Sequence, residues 1–279
     1  PAMIERALEL AHELGLGDRV LARQADLNTW TAQAPADIYI AIHSLHHVVE
    51  LEHLYDQVAK SITPDGVLLV NDMVGRNGHV RWPEAGSLVH RIWNLAPRRY
   101  RYNHYVGVVD EVFPDIDCSG EGFEGIRAQD VLPLLLQRFY PDVLIGFGNV
   151  ADPFVDRVYG PNFDPGNPED AAFIDAVATL DEAAIDLGII TPTHLVASFR
   201  AQPVRCRHPR NRSPERIVRP TGAASLPDAV VLQAELELAL GRYRELRARK
   251  IVQLGLRGAD SARRLAGRLP GRRGTQRRG

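Results

Sequence analysis

The sequence predicts an open α/β sheet whose strands are mostly parallel. Two runs, residues 37–42 and 67–70, are near-continuous apolar stretches, the pattern of strands buried on both faces. Helical spacing of apolar residues flanks and separates them. The resulting order of helix, strand, strand, helix, strand favours parallel pairing with helices packed on the sheet.

Residues 2–14 read as an amphipathic helix, with Met3, Ala7, Leu10, Ala11 and Leu14 on one stripe, Pro1 in the first turn and Gly15 as the stop. Residues 20–25 are expected to form a short strand and residues 37–42 a buried one. Residues 51–61 form a helix striped by Leu51, Leu54, Tyr55 and Val58. Pro64-Asp65-Gly66 is turn chemistry before the strand at 67–70. Residues 75–125 break this rhythm and carry many Arg, Trp and Tyr side chains. An insertion of that size in a compact domain is expected to be a cap over the site. The rhythm then resumes with a helix at 128–139 despite Pro133, a strand at 142–147, a helix at 169–187 and a strand at 194–199.

Composition bounds the function classes. The chain has 279 residues, of which 45% are hydrophobic and 24% charged, so wholesale disorder is excluded. The longest purely apolar runs are too short to span a membrane. Two cysteines, Cys118 and Cys206, cannot build a disulfide scaffold or a cysteine metal cluster. With no signal peptide at its start, a reduced, cytoplasmic protein is expected.

The net charge of −2 conceals an asymmetry. Residues 200–279 hold 20 Lys/Arg against 6 Asp/Glu, leaving the rest of the chain at −16. An acidic body therefore carries a basic end. Residues 1–200 read as the domain, 201–227 as a linker, 228–254 as a helix able to pair with a partner helix, and 255–279 as a basic disordered tail. Such a tail can attract nucleic acid or an anionic surface. Aromatic interleaving beyond Tyr243 is lacking, and nucleic acid is not the favoured partner.

In open α/β sheets, ligands bind outside the carboxyl ends of the strands. Three clusters follow the three expected strands: Asp26-Leu27-Asn28, His43-Ser44-Leu45-His46-His47, and Asn71-Asp72-Met73. All three should share one rim. These runs, the helix and the Pro-Asp-Gly turn that leads into the next strand, and the stretch from Glu124-Gly125-Ile126-Arg127 onward resemble a class I S-adenosylmethionine-dependent methyltransferase over residues 1–200.

That resemblance implies a Rossmann-like three-layer α/β fold with a cap insertion, and S-adenosyl-L-methionine as cofactor. It also implies that Asp26 accepts from the adenine amino group and that the Leu27 backbone contacts the ring, with Asn28 and His43 beside them. The glycine-rich loop and the acid that grips the ribose in such enzymes are absent. The chain begins Pro1-Ala2-Met3 and goes directly into helical spacing. The first two strands are therefore expected upstream, and the chain as given is expected to bind cofactor weakly or not at all.

Each rim residue also has a structural reading. Asp26 can cap a helix or close a turn. Of His43, His46 and His47, one can pack in the core and the others cap the next helix; His46 or His47 can also serve as general base. A metal site is not expected, because no Cys or carboxylate spacing supports it. Asp72 can face the acceptor or be a solvated loop carboxylate. Glu124 and Arg127 can contact substrate or order the cap. Arg76 and Tyr102 stand for the cap's Arg and Tyr set, which can hold an anionic or sugar-bearing acceptor or form a solvated surface. The expected activity is methyl transfer to a small-molecule or glycan acceptor. The competing expectation is a non-catalytic interaction protein that keeps the fold and recruits a partner through its basic end.

Overall fold

The computed structural model describes residues 2–120 and 122–219, all within the first of two units, 1–224. The helix at 228–254 and the tail at 255–279 lie outside the described residues. Among the described residues, no helix is long and apolar enough to cross a membrane.

In order along the chain stand α1 (Ala2–Glu13), β1 (Ala36–Ile42), α2 (Leu51–Ser61) and β2 (Ile62–Met73). The insertion follows, with α3 (Pro83–Leu95) and the short hairpin β3 (Tyr102–Asn103) and β4 (Val108–Val109). Then come α4 (Ala128–Arg138), β5 (Tyr140–Phe147), α5 (Asp152–Val155), α6 (Pro168–Asp186), β6 (His194–Arg200) and α7 (Pro214–Ile217).

The four long strands form one sheet in the order β1-β2-β6-β5. β1 and β2 are parallel, and β6 runs antiparallel to both β2 and β5. Three strands thus share a direction and one is inverted. Ile42 pairs with Asn71, Met73 with His194, and His194 with Phe147. The carboxyl ends of β1, β2 and β5 and the start of β6 therefore lie along a single rim.

The core sits between the sheet and the helices α2 and α4. Leu51, Leu54, Tyr55 and Val58 of α2 meet Val131, Leu132 and Leu135 of α4, with Leu68, Val70, Leu144, Leu195 and Phe199 from the strands. Each such side chain contributes about 1.5–3 kcal/mol on burial. That burial holds α4 together although Pro133 removes an internal donor, a cost of about 3 kcal/mol.

Several expectations need correction. Residues 20–25 form no strand, because they lie largely exposed with no neighbouring strand to pair with. Pro64-Asp65-Gly66 lies within β2, whose pairing begins at Ile62 opposite Ala36 and shifts register before Ile38 meets Val67. β1 is half-buried on one face, through Tyr39 and Ala41, and exposed on the other. Its Ile38, Ile40 and Ile42 are 58%, 63% and 60% exposed, because α2 and α4 cover only the other face. Leu69, Val196 and Ile145 of the neighbouring strands are exposed as well.

The insertion at 75–125 is well built. Trp93 and Tyr100 are fully buried, the Trp93 indole donates to Asp110 O, and the Tyr100 hydroxyl donates to Asp170. The first part of the expected linker, residues 201–219, is packed onto the body. Ile217 is buried, and the Arg212 guanidinium donates to Gly146 O, Glu182 and Asp186.

Candidate functional site

Asp72 is the anchor of the rim. It is the penultimate residue of β2 and is fully buried. Its Oδ2 accepts from the backbone N–H of Ser44 (2.9 Å) and Leu45 (2.8 Å). Its Oδ1 accepts from Met73 N (2.8 Å) and stands 2.5 Å from His46 Nδ1. Burial works against the charge, but the bond from His46 and the N–H groups of Ser44 and Leu45 outweigh it and hold this carboxyl below the usual range. Asp72 therefore orders the turn after β1 and is no solvated loop carboxylate.

An ionised Asp72 can only accept, so His46 donates through Nδ1 and turns Nε2 outward. Nε2 lies 3.3 Å from Glu124 Oε1, and the same oxygen is 2.7 Å from His79 Nε2. His47 Nε2 is 3.7 Å from Glu124 Oε2. The His46 ring lies 4.1 Å from that of His47 and 5.2 Å from that of His79, centroid to centroid. His46 is buried, His79 nearly so, and His47 and Glu124 are partly open to solvent. Burial pushes the His79 imidazole below its usual value, against the pull of Glu124. Burial raises Glu124, but the bond from His79 and the charge of His47 bring it below the usual carboxylate range.

Two glycines make this meeting possible. Gly78 and Gly125 both have positive φ, and Gly78 N donates to Gly125 O (2.9 Å), pinning the insertion's start to its end. His43, His79 and Phe123 also take positive φ, which bulky residues rarely do; such strain gathers at functional sites.

The other predicted residues divide. His43 is exposed, donates its N–H to Asn71 O and faces His46 edge-on at 6.5 Å. Asp26 Oδ1 accepts from the backbone N and Nδ2 of Asn28, a local turn. Asn28 Oδ1 accepts from Val49 N and Glu50 N, tying that turn to the start of α2. Leu27 lines an apolar pocket of about 180 Å3 with Trp30, Tyr39, Ser44, Leu45 and Tyr55.

Arg127 grips Glu52 with two bonds (2.6 and 2.8 Å) and also bonds Val49 O and Asp130, so it clamps α2 to the start of α4. Arg76 lies over the Trp82 ring and donates to Arg81 O. Tyr102 meets His104 edge-on within the hairpin. These contacts link neither Arg76 nor Tyr102 to the histidine cluster.

The sequence reading missed His79 and a second cluster on the same rim. Asp152 Oδ2 accepts from Thr193 Oγ1 (2.7 Å) and lies 3.3 Å from His194 Nε2. Burial lowers the His194 imidazole, but its bond to Asp152 raises it overall. Arg81 joins the two clusters through His79 O (2.9 Å) and Asp152 (3.8 Å). The signals present in the sequence were the glycine turns at Asn77-Gly78 and Glu124-Gly125, which bracket the insertion.

The residues fit one part of a nucleoside site. Leu27 and Ser44 give an apolar, partly open wall, and Asp26 keeps its Oδ2 clear of the Asn28 turn. The pocket of about 180 Å3 is smaller than the ~300–1,000 Å3 of a typical ligand site.

No family model matches the chain, and no curated protein matches it. Among solved structures it is similar to the O-methyltransferase from a trans-AT PKS multienzyme of Brevibacillus brevis in complex with S-adenosyl-L-homocysteine. There the TM-score is 0.38 at 15% identity, over 72% of this chain and 55% of that one. It is also similar to the [4+2]-cyclase SpnF, with a TM-score of 0.31 at 17% identity over 73% of this chain and 64% of that one. The chain spans less than two thirds of either protein. The described residues themselves form a mixed α/β sheet in which one of four strands is inverted.

Proposed function

We propose that the chain serves S-adenosylmethionine-dependent methyl transfer to a small-molecule or glycan acceptor. The observation that carries this reading is the convergence, on one sheet rim, of the Leu27–Ser44 wall with the Asp72–His46 pair and the solvent-accessible His47. When bound, the cofactor supplies an activated methyl group on a sulfonium. The Asp26 carboxylate and the Leu27 backbone take the adenine end. His47 takes the acceptor's proton at Nε2, because its ring is partly open to solvent on the rim. Asp72 is a positioning residue, since it fixes the turn that carries both histidines. Alignment of the reacting atoms supplies much of the rate.

A second reading, a non-catalytic interaction protein, draws support from the uncovered apolar face of β1. Titration calorimetry with S-adenosyl-L-homocysteine, on the chain extended through the upstream strands and glycine-rich loop that the resemblance implies, separates the two. The enzyme reading expects binding, weakened about 10-fold by Asp26→Ala as one hydrogen bond to a charged group is lost. Absence of binding by that extended chain overturns it. Equal affinities would remove Asp26 from the site.

A further inference from the structure

We propose that His46, His79 and Glu124 form a binding site for one divalent first-row transition metal ion. The inference stands on the cluster alone and does not depend on methyl transfer.

The ligand atoms are Nε2 of His46, Nε2 of His79 and a carboxylate oxygen of Glu124, all within 4.8 Å of one another. Zinc–nitrogen and zinc–carboxylate bonds are about 2.0–2.2 Å, so donors around one ion lie about 3–3.5 Å apart. The separations of 3.3 Å between His46 and Glu124 and 2.7 Å between His79 and Glu124 need only a small opening to reach that.

Three features argue for a cation. First, Asp72 fixes the His46 tautomer. Its carboxylate engages Nδ1, so Nε2 is the ring nitrogen turned toward Glu124 Oε1, at 3.3 Å. Second, the Asp72–His46 pair is the carboxylate–histidine arrangement that orients metal-ligating imidazoles and raises their basicity. Third, His46 and Asp72 are almost wholly shielded, 3% and 0% exposed, so the site is held rigid from below. The ligands come from three separate segments: the turn after β1, the turn after β2 and the end of the insertion. Side chains brought together from three segments, on backbone strained at His79, are a built constellation.

Two imidazoles and one carboxylate form the donor set of zinc and of iron(II), with a further coordination position left for water or substrate. Imidazole is a poor donor for magnesium, so magnesium should not compete.

The test uses the full chain, stripped with a chelator and titrated with cobalt(II) while its visible absorption is recorded, then challenged with zinc or magnesium. The expected result is one cobalt per chain, displaced by zinc and not by magnesium. His79→Gln and Glu124→Gln should each weaken binding about 100-fold or more. Asp72→Asn should weaken it about 10–100-fold, as loss of an outer-shell partner does. His104→Gln, altering a histidine bonded to Asn162 in the hairpin, should leave binding unchanged. Zinc should raise the melting temperature of the unmodified chain and of His104→Gln, and not of His79→Gln. That readout and circular dichroism identify any variant that has merely failed to fold. Lack of stoichiometric binding, unchanged binding by folded His79→Gln and Glu124→Gln, or equal displacement by magnesium overturns the proposal. Loss of homocysteine-nucleoside binding alone would overturn the methyl-transfer reading and leave this one intact.

Discussion

His46 Nδ1 lies 2.5 Å from Oδ1 of the fully buried Asp72, so a strand-end carboxylate sets the orientation of a ring on the neighbouring turn. Asp72→Asn keeps the shape but changes the donors. An amide has one acceptor oxygen where the carboxylate has two, and its NH2 would face either His46 Nδ1 or the Ser44 and Leu45 N–H pair. A buried donor left unsatisfied costs about 1–3 kcal/mol. For a domain of this size that corresponds to a drop of roughly 2–10 °C in melting temperature. Thermal unfolding at pH 7 checks it, and an unchanged midpoint would show that the turn is held by other contacts.

The Arg127–Glu52 clamp makes an acid-side prediction. The bond from Arg127 pulls the Glu52 carboxyl down to about 2. Its folded value lies below its unfolded one, so its contribution is present above about 4.5 and is lost as pH falls toward 2. Glu52 is half exposed, and screening limits the pair to about 1 kcal/mol or less. Glu52→Gln should lower the midpoint by a few degrees at pH 6 and by nothing near pH 2.5. A constant difference across that range would contradict the assignment.

Much of the frame was legible because it depends on local pattern. The spacing of Leu51, Leu54, Tyr55 and Val58 defines α2 to the residue, since one stripe faces the core. The rim was legible too, because strand ends follow from strand positions. What could not be read was anything set by contacts distant in sequence. The exposure of Ile38, Ile40 and Ile42 depends on whether a second layer covers β1, and an apolar run looks the same either way. The inversion of β6 depends on how α6 returns the chain. His79 meets His46 and Glu124 only because the insertion doubles back from Gly78 to Gly125. Arg127, read as a rim residue, is instead consumed by Glu52 across a loop that no spacing reveals.

Asp181 makes the opposite pH prediction. It is buried in α6, and burial lifts its carboxyl to about 6 although Val150 N donates to it at 2.8 Å. Its folded value lies above the unfolded one of about 3.9. The native state therefore holds this proton more tightly. The resulting stabilisation is complete below about 4, fades as pH rises through 6, and is gone above that. Asp181→Asn keeps an acceptor oxygen for Val150 without the charge. At pH 8 the variant should melt at or above the unmodified chain, and the unmodified chain should gain on it as pH falls from 7 to 4.5. A difference independent of pH would remove the shift.

The uncovered face of β1 predicts a colloidal defect rather than an unstable fold. Ile38, Ile40 and Ile42 line an edge strand whose outer edge pairs with nothing among the described residues. Such an edge templates association. Ile40→Lys should shift light-scattering mass toward the monomer and leave the melting temperature within about 1 °C, since surface substitutions stay within about 0.5 kcal/mol. A large loss of stability would mean that the Ile40 side chain is packed in solution.

Three glycines near the histidine cluster separate backbone strain from direct collision. Gly120 lacks a positive φ, and a Cβ there would meet open space. Gly122 has φ +65 and also faces open space. Gly125 has φ +66, and its Cβ would come within 2.9 Å of the His79 ring carbon and Nε2. Gly120→Ala should change nothing. Gly122→Ala should cost the left-handed strain alone, about 1–2 kcal/mol. Gly125→Ala should cost that strain and also push His79 off Glu124, because a ring held between the Gly78 turn and Glu124 cannot give by a few tenths of an ångström. The extra effect should appear in the His79 imidazole resonances as loss of the Glu124 bond, with a melting temperature several degrees below that of Gly122→Ala. Matching behaviour of the Gly122 and Gly125 variants would show that the imidazole moves freely, and the cluster would then not be the rigid arrangement its distances describe.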